Sequence, residues 1–111
     1  MVLDVQKAQV ILRDIPYDQG FHFFMPDGHY TGETARTLCF FQQDLQRIDI
    51  ECFQFHLFRG DFQKWLGTTV GDEELAREID EVDKNVSIEI LRQQLVDIVQ
   101  KRILKLKSVT Q

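Results

Sequence analysis

The placement of the aromatic residues constrains this chain most. All nine phenylalanines lie between Phe21 and Phe62, and the single tryptophan follows at Trp65. A buried ring of this size removes about 150–250 Å² of surface from water, so a core must form around the middle of the chain wherever these rings turn inward. With 111 residues there is room for one domain; a chain of that length buries roughly two thirds of its unfolded surface. Hydrophobic residues at 43% and charged residues at 28% are ordinary for a globular protein, and two prolines leave room for long helices. The expected fold is mainly α: a compact helical domain of about four to five helices with a short aromatic hairpin-like or strand arm near the N-terminus.

Periodicity places the elements. Residues 1–20 mix apolar spacings of two and three, so their structure stays undecided until Pro16 and Gly20 close the segment with turn chemistry. FHFFMPDGHYTG (21–32) is an aromatic run around a Pro-Asp-Gly turn. From Thr31, read as a cap, Ala35, Leu38, Phe41, Leu45 and Ile48 recur at helical spacing. Residues 49–59 read as helix or strand, with helix preferred, and Gly60 stops them. Asp61 reads as the N-cap of a short helix burying Phe62, Trp65, Leu66 and Val70. Gly71 ends that helix and Asp72 caps the next, with Leu75, Ala76, Ile79 and Val82 inward. The single helical domain, 21–107, closes with a long helix, about 87–107, capped by Ser87. A 21-residue helix is about 31 Å long. Its second apolar stripe, Val96, Val99, Ile103 and Leu106, is either an interface for another copy or the seat of a folded-back N-terminal segment.

Charge and motif content narrow the chemistry. A net charge of −5 opposes broad attraction to nucleic acid or anionic lipid. Charge is uneven, however: DEELAREIDEVD (72–83) is acidic and KRILKLK (101–107) is basic, which makes Lys101, Arg102, Lys105 and Lys107 a secondary nucleic-acid candidate. The start of the chain has early acids and no long apolar run, so the expected location is cytoplasmic, without membrane contact. Cys39 and Cys52 form no CxxC pair and read as small core thiols. His22, His29 and His56 lie outside any metal-ligand spacing, and no phosphate-cradling glycine loop is present. The reading therefore expects no metal and no cofactor, and favours a non-catalytic protein.

The ordered set FHFF, GHYTG, FHLFRGDFQKW (55–65) and GDEELA resembles a family of small prokaryotic proteins, many of them archaeal. That family is known only as the domain of unknown function numbered fifty-seven fifty-two. The resemblance spans about Phe21 to Val82 and implies a compact intracellular module, found alone or joined to other domains. It implies no catalytic residues. Among the matching positions, glycines at bends, aspartates at caps and core aromatics have structural explanations. Tyr30, His56 and Arg59 do not follow from folding so directly, and they are the candidate polar site, against the alternative of an internal hydrogen-bond network. The function expected first is an interaction or assembly module, a homo-oligomer joined through the C-terminal helix or a binder of a protein partner. The alternatives are a small-ligand or enzymatic site around Tyr30, His56 and Arg59, and nucleic-acid association through the basic C-terminal helix.

Overall fold

The computed structural model describes residues 3–111. Helix α1, Val5–Ile11, settles the ambiguous start of the chain: Asp4 accepts from the Lys7 amide at 2.7 Å, while Ala8 and Ile11 are buried. A short 3-10 turn, Tyr17–Gln19, leads into an antiparallel hairpin of β1, Phe21–Phe24, and β2, Tyr30–Ala35. Its register pairs Phe21 with Ala35, His22 with Thr34 and Phe24 with Tyr30. Strand alternation drives Phe21 and Phe23 into the core, and leaves His22 and Phe24 more exposed.

The helix expected from Thr31 begins later. Thr31 to Ala35 form β2, because Gly32 has φ +91°, outside the helical region, and the Thr31 hydroxyl donates to the Phe23 carbonyl across the hairpin. Helix α2, Leu38–Arg47, is capped instead by Thr37, which accepts from the Phe40 amide at 3.0 Å. Leu38, Phe41 and Leu45 are buried as their spacing requires, but Ile48 lies just beyond the helix in extended backbone.

Helix α3, Ile50–Arg59, runs to Gly60, whose φ of +79° lets its amide bond back to the His56 and Leu57 carbonyls and ends the helix. The chain turns at once into α4, Asp61–Lys64, which widens into a π-turn, Trp65–Val70. Helix α5, Glu73–Asp80, is capped by Asp72 as expected, and α6, Ile88–Thr110, is capped by Ser87.

Helix α6 packs against α1, α2, α3 and α5. The stripe considered as an interface therefore lies inside the chain's own core: Val99 and Leu106 are fully buried, and Val96 and Ile103 nearly so. The folded-back N-terminal helix supplies part of this cover, along with α2, because the long helix exposes more apolar surface than α5 alone could shield. The basic strip is reduced in the same way. Lys101, Lys105 and Lys107 are exposed, but Arg102 is buried and holds Asp72 with two bonds, Nε at 2.7 Å and Nη2 at 2.9 Å. Asp72 thus caps α5 and ties it to α6 at once. Breaking such a pair strands a buried charge. Arg102→Ala is expected to cost about 3–5 kcal/mol in urea denaturation. Leu106→Ala, which opens a cavity, is expected to cost about 2–5 kcal/mol by the same measurement.

Candidate functional site

The corner where α3 meets α4 builds the most distinctive polar arrangement in the molecule. Had the helix continued through Gly60, His56 and Asp61, five positions apart, would point in different directions. The left-handed turn at Gly60 folds Asp61 back over the last turn of α3, and the His56 Nδ1 lies 2.8 Å from the Asp61 Oδ2. Asp61 therefore does not cap α4 with its side chain, as the sequence suggests; Gly60 occupies the cap position and the carboxylate serves the histidine.

Both His56 nitrogens are committed. Nε2 accepts from the backbone N–H of Phe24 at 2.9 Å, which requires the ring proton to sit on Nδ1, where it donates to Asp61. The imidazole joins the end of β1 to the α3–α4 corner and is itself 3% exposed. The Phe21 and Phe55 rings meet it at 4.9 and 5.0 Å. Burial pushes its pKa below the ordinary 6.5, with the Asp61 hydrogen bond pulling less strongly the other way.

Arg59 behaves differently. Its side chain is 60% exposed, lies over the Phe55 ring at 4.7 Å, and places Nε 3.6 Å from the Asp61 Oδ2. The guanidinium is thus steered by a ring face and a carboxylate while remaining open to solvent.

These groups stand on one wall of a cleft of about 570 Å³ between the hairpin and the α3–α4 corner. His22 and Phe24 face it from β1, Phe55, His56 and Arg59 from α3, Asp61 and Lys64 from α4, and Trp65, Thr68 and Thr69 from the π-turn. The π-turn has a local cause. The Thr68 hydroxyl donates to the Lys64 carbonyl at 2.6 Å, and the amides of Gly71 and Asp72 both bond to the Leu66 carbonyl. From behind, the Arg13 guanidinium donates to the Thr69 and Val70 carbonyls, and the Trp65 Nε1 donates to the Gln19 carbonyl at 2.9 Å. Such widened turns recur at functional sites because the extra residue redirects side chains.

His56 and Arg59 are brought together as the sequence suggests; Tyr30 is not. Tyr30 is hydrogen-bonded through its hydroxyl to Thr34 at 2.6 Å and Tyr17 at 3.1 Å and stands behind the cleft wall, its ring 5.6 Å from Phe24 and 6.1 Å from His22, whose Nδ1 lies 2.8 Å from the Thr34 hydroxyl. Asp61, Lys64 and the π-turn threonines were missed. The available signal was an Arg-Gly-Asp step whose aspartate lies five residues after a histidine, where a helix-ending glycine returns the acid to the ring.

The remaining chemical candidates fall elsewhere. Cys52 is buried, and burial, reinforced by Asp49, pushes its thiol up to about 11. Among the described residues, no three of the histidine, cysteine and acidic side chains converge as metal ligands, and no helix is long and apolar enough to cross a membrane.

A family model described as a family of unknown function (DUF5752) matches residues 4–100. The chain belongs to that family. No curated protein and no solved structure matches this DUF5752 chain. The match extends beyond the resemblance visible in the sequence motifs, taking in α1 and the first part of α6, two elements that pack against each other.

Because the folded state holds His56 neutral, the unfolded chain takes up this proton at higher pH than the folded one. The stability contribution is complete above pH 6.5 and is lost as pH falls below it. Melting temperature against pH should therefore decline less steeply below 6.5 in His56→Gln, whose amide oxygen can still accept from the Phe24 N–H, than in the unsubstituted protein.

Proposed function

We propose that this DUF5752 domain is a non-catalytic binding module whose site is the cleft between the hairpin and the α3–α4 corner. The observation carrying the reading is the state of His56 within that cleft: its two nitrogens are spent on the Phe24 amide and on Asp61. A histidine so engaged sets the position of a wall and orients a carboxylate. General acid–base catalysis would require a ring nitrogen within reach of a substrate proton. The volume, about 570 Å³, falls in the range of small-molecule sites, which typically combine an apolar lining with a few placed polar groups.

Assembly through α6 has less to support it. Its four proposed contact residues are core residues, and the exposed Ile90 and Leu104 lie on separate turns of the helix. Isolated apolar side chains of this kind are common on protein surfaces.

The binding reading is tested by screening aromatic fragments against isotope-labelled protein. Fragments that bind are expected to shift the Trp65 indole N–H together with the Thr68 and Thr69 amides. Thr68→Phe should fill the exposed mouth and abolish those shifts; losing the bond to the Lys64 carbonyl is expected to lower the melting temperature, and far-UV circular dichroism verifies that the variant folds. Shifts that scatter over the surface, or that survive in Thr68→Phe, would count against the cleft as the site.

A further inference from the structure

We infer that the cleft selects a small organic anion with a flat apolar body; this rests on the cleft being a ligand site and concerns which chemistry it takes. The ionisable side chains lining it are His22, His56, Arg59, Asp61 and Lys64. His56 is held neutral, because an Nε2 that accepts the Phe24 amide has no room for a second proton. The Asp61 carboxylate is already engaged, taking the His56 Nδ1–H at 2.8 Å and lying 3.6 Å from the Arg59 Nε. Two basic side chains, Arg59 and Lys64, thus line the cleft beside a single carboxylate that is already engaged. This wall is locally positive in a chain whose net charge is −5.

Arg59 has the geometry for such a partner. Asp61 approaches its Nε, so the ends of the guanidinium remain for another acceptor, and 60% of the side chain is open to solvent. Stacking over Phe55 at 4.7 Å holds the planar fork in place, which lowers the entropy lost when a second carboxylate engages it. Beside it the lining is aromatic: Phe21, Phe24, Phe55 and Trp65. Phe24 is 36% exposed and Trp65 7% exposed, so a flat body meets one broad ring and the edge of another. A strongly hydrated inorganic ion would leave those rings unused. A neutral aromatic would leave Arg59 without its second acceptor.

Three probes with one body separate the terms: 3-phenylpropionate, 3-phenylpropanamide and 3-phenylpropylamine. Trp65 is the chain's only tryptophan, so its emission reports on the cleft without assignment. The carboxylate is expected to bind about tenfold or more tightly than the amide, the scale of a hydrogen bond to a charged group, and the amine most weakly. Arg59→Gln should erase the preference of carboxylate over amide, and Lys64→Gln should reduce it; both positions are at the surface, and far-UV circular dichroism verifies that each variant folds. Equal binding of all three probes, or a preference for the amine, would overturn the anion inference while leaving the cleft as a binding site. A carboxylate preference that persists in Arg59→Gln, Lys64→Gln and the double variant would also overturn it. No Trp65 response to any probe would remove both this inference and the reading on which it rests.

Discussion

The packing of Phe62 against five other rings governs the rest of this structure. Its ring lies 5.1 Å from Phe21, 6.4 Å from Phe23, 5.4 Å from Phe41, 5.8 Å from Phe53 and 5.8 Å from His56. Those partners come from both the hairpin and the helices α2 and α3, so one side chain on a four-residue helix joins the hairpin to both helices. A two-stranded hairpin is marginal by itself in water. Here it is held because Phe21 and Phe23 are buried against helices and the Phe24 amide is tied to His56.

That arrangement also explains why the functional surface forms where it does. Phe62 can reach the core only if the chain reverses sharply after α3, and Gly60 allows the reversal through its positive φ. The same reversal lays Asp61 against His56. The core and the candidate site are consequences of one backbone turn: the inward side of the corner carries Phe62 and Trp65, and the outward side carries Arg59, Asp61 and Lys64. Arg13 and Gln19 then secure the far wall from the N-terminal segment, which makes the first twenty residues part of the cleft's support.

Much of the helical framework was legible, and the misplacements have identifiable causes. Ser87, Asp72 and Gly60 announce their boundaries because capping depends on residues a few positions apart. Thr31 misleads because Ala35, Leu38, Phe41 and Leu45 share a helical spacing, whereas strand pairing with Phe21–Phe24, together with Gly32, decides the conformation of the first of them. Asp61 misleads for the opposite reason: it satisfies a local capping rule, but a histidine one turn earlier competes successfully for its carboxylate. Val96, Val99, Ile103 and Leu106 were visible as an apolar stripe, although a stripe does not state what covers it.

By itself, the sequence determined that this chain would be mainly helical around a central aromatic core, with a hairpin at Pro26-Asp27-Gly28 and a corner at Gly60, because these follow from ring burial and from the φ preferences of single residues. It also determined that His56 and Arg59 would lie near that corner. Only the tertiary structure decided that the His56 nitrogens are spent on Phe24 and Asp61, that Arg102 is buried on Asp72, that Tyr30 stands apart, and that α1 and α2 cover α6. Each of those outcomes is a competition between partners distant along the chain, and the winner depends on distances that arise only after the elements have packed.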